Sequence, residues 1–323
     1  MTISLVTYNG TRWLAACLAS LRAQTLADYE LLVVDNASTD GTLELLREHR
    51  RTEPRMKILQ SPTNLGFAVA NNRSIAEACG DFVMLLNQDV ELDEAFLGAA
   101  VAAFENRPTV AGVQGRLRLL GPAGKRTDLI DSTGLEMHRD RQVVARRQGE
   151  REDGRDLVSG LVWGVDGPAA VFRRSALVAA RERRTGGGWE VLDEDFYMYK
   201  EDVDLAWRLR NLGWQAWYEP KALAWHARGA GGRPNRTITQ LIRSDRTIPR
   251  WIKLLSWRNH RLMQLKNETV LGYLRDLPWI LRREVLSLGF MLVVDWRRLA
   301  VVADFLQLAR AAWKKRRRGA ARQ

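Results

Sequence analysis

FVMLLNQDVELDE, residues 82–94, runs apolar for five residues and then turns abruptly acidic. Phe82 to Leu86 reads as a buried strand, and Asn87, Gln88 and Asp89 fall where that strand surfaces. A polar strand end leading into a helix explains the pattern. So does a metal or phosphate site, because open α/β sheets bind ligands at the carboxyl ends of their strands. Working outward, the same rhythm recurs. ISLVTY (3–8), ELLVVD (30–35), MKIL (56–59) and VAGVQG (110–115) are short apolar runs, and the first three are each followed by a helical pattern. Strands of this kind spaced by helices predict an α/β fold with a mainly parallel central sheet covered on both faces.

Residues 121–156 are charged and turn-rich and read as hairpins and loops. Order returns at 157–177 as a strand, a glycine-rich turn and a second strand. An amphipathic helix follows through EDVDLAWRLRN (201–211), then two short strands at 214–220 and 222–229. From 237 the pattern is mostly helical, with breaks expected near Pro249 and Pro278. The longest charge-free run there, Val285 to Val294, is ten residues, about half of what a bilayer span requires.

The 323 residues contain 46% hydrophobic positions, 12 Trp and two cysteines. Cys17 and Cys79 both sit in apolar helical patterns, so two buried thiols in a reducing cytoplasm are expected. Met1-Thr2 leads directly into the first strand without a signal-peptide pattern. Net charge is +12 and unevenly spread: residues 1–240 hold 31 Lys+Arg against 32 Asp+Glu, and residues 241–323 hold 19 against 6. A basic end on a near-neutral body seeks a polyanion, either nucleic acid or an anionic membrane face.

Four strand ends carry polar residues, in chain order along one rim: Thr7-Tyr8-Asn9-Gly10, then DNASTDGT (35–42), NLGFAVANN (64–72) and Asn87-Gln88-Asp89. Ser38 or Thr39 is placed to cap the second helix. Asp35, before that cap, suits a base N–H or a ribose hydroxyl. Neither GxGxxG nor GxxxxGK[ST] is present, which excludes the common dinucleotide and P-loop modes. A nucleotide whose phosphates are held by a cation remains, and Asp89 suits Mg²⁺ or Mn²⁺.

These four stretches, followed by IDSTGLEM (130–137), GPAAVFRR (167–174), FYMYKEDVDLAWRLR (196–210) and AWHARG (224–229), resemble the family 2 inverting glycosyltransferases of GT-A fold. The combination is similar to their bacterial rhamnosyltransferase-like branch and covers about residues 1–260. The resemblance implies a GT-A domain over 1–240, with a nucleotide-sugar half (1–115) and an acceptor half (116–240). It implies a donor site of Thr7, Tyr8, Asn9, Asp35, Asn64, Gly66, Asn71, Asn87 and Gln88. Asp89 stands for the last acid of the metal-binding DxD motif, and His226 for a late histidine ligand. The sequence departs from the pattern at Asn87, which replaces the first acid, at Gln88, and at Asn71, where many relatives carry a diphosphate-binding arginine. Arg228 is an alternative phosphate partner.

On the acceptor side the resemblance makes Asp202 the general base, with Glu201 orienting it. The aromatic run Phe196-Tyr197-Tyr199 beside Asp202 would raise its pKa. Trp163 and Trp189 are candidate sugar-stacking faces, and core packing explains each equally well. The implied activity is sugar transfer to a glycan or polyprenyl-linked saccharide acceptor in cell-envelope polysaccharide synthesis, with dTDP-L-rhamnose as preferred donor. A UDP-hexose or UDP-N-acetylhexosamine donor is the alternative, as is a non-catalytic sugar-nucleotide-binding protein, because the DxD motif is reduced to NQD.

Residues 241–323 interleave Trp with Arg and Lys and end in WKKRRRGAARQ. They read as a helical, basic, membrane-associating extension, with the KKRRR cluster drawn to anionic headgroups. That predicts a cytoplasmic protein bound peripherally to the inner face of the membrane. No nucleic-acid motif accompanies the charge.

Overall fold

The computed structural model describes residues 1–228, 248–294 and 296–320. The first half alternates as expected: β1 (Thr2–Thr7), α1 (Leu14–Arg22), β2 (Glu30–Asp35), α2 (Thr42–Arg50), β3 (Met56–Gln60), α3 (Gly66–Glu77), β4 (Phe82–Asn87), β5 (Val90–Leu92), α4 (Phe96–Ala102) and β6 (Val110–Leu120). The second half holds β7 (Arg126–Ser132), β8 (Leu135–Met137), β9 (Val143–Ala145), β10 (Gly160–Val162), β11 (Ala169–Arg173), α5 (Arg174–Ala180), β12 (Glu182–Arg183), β13 (Trp189–Glu190), α6 (Glu201–Asn211) and β14 (Gln215–His226). Three helices close the described chain: α7 (Arg250–Asn267), α8 (Val270–Val294) and α9 (Ala300–Ala320).

The main sheet runs β3-β2-β1-β4-β11-β6-β14-β10, with β5 added beside β14 and β7 beside β6. Strands β3, β2, β1 and β4 are mutually parallel, as are β6 and β14, while β11 lies antiparallel between β4 and β6. Alternate residues of β4 divide between two cores. Met84 and Leu86 join Ile3, Leu14, Leu46 and Phe96 on one face, and Val83 and Leu85 join Ala68, Leu177 and Leu205 on the other. Each such side chain contributes about 1.5–3 kcal/mol by leaving water. Burial on both faces is why the strand reads as an unbroken apolar run.

Several local expectations are revised. The strands expected at 214–220 and 222–229 are one strand, β14, whose register against β6 shifts between Glu219 and Leu223. Gly115 lies under that bulge, where a Cβ would come 2.5 Å from the Ala222 carbonyl oxygen. The strand read at 110–115 is longer than its apolar run, because β6 continues to Leu120 to pair with β7 and β14. Helix α2 is capped by neither Ser38 nor Thr39: Asp40 accepts from the Thr42 N–H at 3.1 Å and the Thr42 hydroxyl at 2.5 Å. Cys17 is buried as expected, but Cys79 is exposed, because α3 ends at Glu77 before reaching it. Pro249 does precede a helix, whereas Pro278 lies inside α8 without ending it.

The C-terminal helices are not a loose appendage. Leu262 and Met263 of α7 and Ala312 of α9 share one buried cluster with Phe196, Val203, Ala206 and Trp207 beside and within α6. The expected domain boundary at 240 and the onset of helix at 237 lie outside the described residues.

Candidate active site

The chain runs β1, β2, β3 to one side and then crosses back to β4 on the other side of β1. Such a reversal opens a crevice at the carboxyl ends of the strands. Register puts Thr7 opposite Asp35 and Val6 opposite Asn87, so the first, second and fourth polar strand ends share this rim. Thr7 Oγ1 lies 3.4 Å from Asp35 Oδ1, and the Ser38 N–H donates to Asp35 Oδ2 at 3.3 Å. Both contacts are long, so the carboxylate retains acceptor capacity. Asn9, in the left-handed region at φ 48°, accepts from the Thr39 N–H at 2.9 Å, and its own N–H donates to Ser38 Oγ at 3.0 Å. Tyr8 is exposed at the rim. Asn36 joins this turn to the third: its amide donates to Asn64 Oδ1 at 3.0 Å and accepts from the Leu65 N–H at 2.7 Å.

At the fourth strand end, pairing of β5 with β14 sets His226 opposite Val90 and beside Asp89. His226 Nε2 is 3.5 Å from Asp89 Oδ1, and His226 Nδ1–H donates to Asp131 Oδ2 at 2.8 Å. Burial lowers the basicity of this imidazole, but the hydrogen bonds to Asp131 and Asp89 outweigh it and raise its pKa to about 10. Arg228 Nε donates to Asp131 Oδ1 at 2.6 Å, and its Nη2 reaches Asp166 Oδ2 at 3.3 Å. Burial raises the pKa of Asp131, yet His226 and Arg228 together hold it below the usual carboxylate range. Asp89 and His226 are a carboxylate and an imidazole side by side, with the far ring nitrogen fixed by a buried acid. A cation arriving at this pair would have to displace the Nε2 proton of the imidazolium, leaving a carboxylate oxygen and an oriented ring nitrogen as its ligands.

The chain of polar contacts continues to the acceptor side. Asp202 Oδ2 accepts from the Gly167 N–H at 3.2 Å, one residue beyond Asp166, and Asp202 Oδ1 accepts from the Val203 N–H at 2.8 Å. Gly167 lies against Asp202, where a Cβ would come 3.5 Å from Oδ2. Burial, then the nearby Asp166 carboxylate, raise the pKa of Asp202. Glu201, 7% exposed and with Oε2 unpartnered, is pushed up to about 8 by burial and by Asp202. Two adjacent carboxyls poised to hold and release a proton thus stand at the same end of the sheet as the cation-type pair.

The glycosyl transferase family 2 profile matches residues 2–179. The chain belongs to glycosyl transferase family 2. This glycosyltransferase is 28% identical, over 80% of its length and 88% of the relative's, to the N-acetylglucosaminyl-diphospho-decaprenol L-rhamnosyltransferase of Mycobacterium tuberculosis. It is 24% identical over 68% of its length to the poly-beta-1,6-N-acetyl-D-glucosamine synthase of Staphylococcus epidermidis, of which it spans only 48%. Among solved structures, S. aureus TarS in complex with UDP-GlcNAc aligns with a TM-score of 0.57 and 17% identity, over 98% of this chain and 89% of that one. The mannosyltransferase PcManGT from Pyrobaculum calidifontis, in complex with GDP-Man and Mn²⁺, aligns with a TM-score of 0.50 and 19% identity, over 96% and 75%. Both likenesses bear on the fold, which is the GT-A architecture with C-terminal helices added.

Some expected site residues of the glycosyltransferase are placed otherwise. Asn71 is fully buried: it accepts from Ser4 Oγ at 2.8 Å and donates to the Phe67 carbonyl at 3.0 Å. It fastens α3 to β1 and presents no surface to a diphosphate. Gln88 spends its amide on Tyr8, accepting from the N–H and donating to the carbonyl, both at 3.0 Å, which staples the ends of β1 and β4. Gly66 (φ 78°) is required where it stands, since a Cβ would come 2.4 Å from the Tyr197 ring. Trp163 packs edge-on against Trp207 at 6.2 Å, and Trp189 has the guanidiniums of Arg181 and Arg183 each 4.5 Å from its ring centroid. Those cations occupy ring surface that sugar stacking needs. Asp131 and Asp166 were missed as site residues, since no spacing rule connects a β7 terminus to β14.

Among the described residues, Glu182, Asp193 and Asp204 form a carboxylate triad compact enough for a metal. In this glycosyltransferase it is already neutralised. Lys266 Nζ donates to Glu182 at 2.7 Å, Asp193 at 2.5 Å and Asp204 at 2.9 Å, and Arg208 Nε donates to Asp204 at 2.9 Å. Lys315 adds bonds to Asp193 at 2.5 Å and Asp195 at 2.9 Å and an ion pair with Glu190 at 2.6 Å. Lys315 belongs to the KKRRR cluster, so that lysine is a buried structural cation and not a headgroup ligand. Asp204 is fully buried within the same cluster, bonded to Arg208 one turn on and to Lys266.

Proposed function

We propose that this glycosyltransferase is an inverting, divalent-cation-dependent enzyme. It would move L-rhamnose from dTDP-L-rhamnose to a lipid-linked saccharide at an anionic membrane surface. The observation carrying the reading is the unbroken chain of contacts from Asp89 through His226, Asp131, Arg228 and Asp166 to the loop that holds Asp202. It supports reading Asp89 and His226 as a diphosphate-end pair and Asp202 as a base at one rim. Exposed Tyr8 would face the base and ribose of the donor, with Asp35 and Thr7 buried at the same rim. Asp89 and His226, the latter without its Nε2 proton, would hold the cation, Mg²⁺ or Mn²⁺, which would supply charge stabilisation to the diphosphate leaving group. Asp202 removes the proton of an acceptor hydroxyl, whose oxygen forms the bond to the anomeric carbon as the bond to the diphosphate breaks on the opposite face. A single displacement inverts that centre and needs one carboxylate base. Arg228, bonded to Asp131 and Asp166, is tied into the same cluster and would add positive charge to that end.

The rhamnosyl donor is supported by the 28%-identical relative, whose name specifies an L-rhamnosyltransferase acting on a diphospho-decaprenol acceptor. A UDP-N-acetylhexosamine donor is the competing reading, supported by the synthase relative and by the UDP-GlcNAc complex of TarS. Calorimetric titration with dTDP and UDP, with and without Mn²⁺, separates them. Binding of dTDP that requires Mn²⁺ and is lost in Asp89→Ala is expected. Preference for UDP moves the donor and leaves the mechanism; binding of neither, with Asp89→Ala indistinguishable from the parent, removes the reading.

The membrane part rests on α8. No described helix is long and apolar enough to cross a bilayer. Helix α8 nevertheless exposes Leu274, then Leu281, Val285, Leu288 and Leu292 at four- and three-residue spacing, beside exposed Arg275 and Arg282. Leu271 and Val293 at its ends are 80% and 87% exposed. An apolar stripe flanked by arginines suits the headgroup–acyl boundary. The full chain is expected to float with phosphatidylcholine vesicles containing phosphatidylglycerol. Val285→Glu with Leu292→Glu should weaken this by more than about tenfold, given the transfer energy of two buried aliphatic side chains. Unchanged flotation would remove α8 as the docking face.

A further inference from the structure

The loop that delivers the catalytic carboxylates, residues 197–200, is held in a rarely occupied conformation by α7. Tyr197, Tyr199 and Lys200 all have positive φ, at 64°, 69° and 74°, without a glycine among them. At Tyr197 the φ of 64° and ψ of −63°, with the Met198 N–H donating to the Phe196 carbonyl at 2.7 Å, make a γ-turn of the rare, strained hand. Backbone of this kind persists only where its surroundings over-determine it. Asn259, fully buried, supplies that determination. Its Nδ2 donates to the carbonyls of Phe196 at 2.9 Å, Met198 at 2.9 Å and Tyr199 at 2.8 Å. Arg258 Nε donates to Asn259 Oδ1 at 3.0 Å, which fixes the amide with its NH₂ toward the loop, and Arg258 Nη2 donates to the Asp195 carbonyl at 3.0 Å.

The opposite side of the loop touches the donor half. The Tyr197 carbonyl accepts from the N–H groups of Phe67 at 2.8 Å and Ala68 at 3.2 Å, and the Tyr197 hydroxyl donates to Asn64 Oδ1 at 3.2 Å. Lys200 then opens α6, where Glu201 and Asp202 follow at once.

We propose that Asn259 is the positioning residue for Asp202. Through three carbonyls, the C-terminal helices set the conformation of the base loop against the donor-side turn at Asn64–Ala68. The inference rests on the reading of Asp202 as general base. It makes the helical extension part of the catalytic architecture, independently of any lipid contact.

The test is nucleoside diphosphate release by the full chain from dTDP-L-rhamnose, or from UDP-GlcNAc if the titration selects UDP, with Mn²⁺ and water as acceptor. In Asn259→Ala, kcat is expected to fall on the order of 10- to 100-fold, the scale of a misplaced catalytic group. Donor KM should stay within about twofold, and the acid limb of the kcat profile should move to lower pH as water reaches Asp202. Asn267→Ala is the control for plain destabilisation. It removes an α7 amide that donates to Asp204 at 2.8 Å without touching the loop, and it should leave the acid limb in place. Where Asn259→Ala does not fold, Arg258→Met, which frees the amide and the Asp195 carbonyl, should move kcat and the limb in the same direction. An unmoved limb in the folded variant, or equal losses in the Asn259 and Asn267 variants, overturns the proposal. Full turnover in Asp202→Asn instead overturns the general-base reading beneath it.

Discussion

Asp202→Asn is expected to lower turnover by roughly 10²- to 10⁴-fold, the range contributed by a positioned general base, with donor affinity nearly unchanged. The substitution is close to isosteric. The amide carbonyl can keep the 2.8 Å bond from the Val203 N–H, and only the longer 3.2 Å bond from the Gly167 N–H is given up, so the fold should survive. What disappears is the proton acceptor. Because burial and Asp166 raise the pKa of Asp202, the parent should show an acid limb above the ordinary aspartate range, with activity rising as pH increases through it. Asp166→Asn removes the like charge and should shift that limb to lower pH. Single-turnover rates across pH for the three proteins check both statements. A limb that ignores Asp166, or an Asp202→Asn enzyme retaining more than a tenth of parental turnover, would falsify the assignment.

Lys266→Met carries the largest expected effect on stability, a loss of about 3–5 kcal/mol, the cost of breaking a buried ion cluster by removing one partner. The lysine is 1% exposed and is shared by three carboxylates from the β12 strand, the turn before α6 and α6 itself. Burial lowers the pKa of Lys266, but Asp193, Asp204 and Glu182 outweigh it and raise it well above the usual lysine range. The methionine stem fills much of the volume, so the loss is electrostatic: acids gathered around one ammonium are left to Arg208 and Lys315 alone. The deficit should shrink at acid pH, because the stranded carboxylates can take up protons in the folded state. Guanidinium midpoints for parent and variant at pH 5 and pH 8 measure both. A difference below 1 kcal/mol at pH 8 would show that the cluster contributes little to cohesion.

The two predictions separate what reading the chain in order can and cannot find. The buried setting of Asp202 is legible because its neighbours in sequence, an aromatic run and an amphipathic helix, already state its surroundings, whereas its proposed role as base comes from the family resemblance. The strand-end positions of Asp89, Asp35 and Thr7 are legible for the same reason, each closing or following an apolar run that must be a buried strand. Lys266 was not. In sequence it is one basic residue in a basic helix, and only the packing of α7 on α6 surrounds it with acids. Lys315 is hidden in the same way, because a run of like charges looks solvated although three carboxylates lie beneath one member. Asn71 was misread in the opposite sense. A position inside a phosphate-side motif reads as a ligand contact, but the α3 register turns it to β1 and Ser4.

By itself the sequence determined the alternating strands and helices, the two-faced burial of the parallel strands and the polar rim at their carboxyl ends. Those follow from local periodicity, and hydrophobic burial translates periodicity directly into layers. Only the tertiary structure decided which polar residues meet. His226 reaches Asp89 because β5 pairs with β14, Asp131 fixes that ring because β7 pairs with β6, and the base loop is set by an asparagine of α7. Hydrogen bonds and ion pairs act over a few ångströms and are indifferent to separation along the chain, so no local pattern records them.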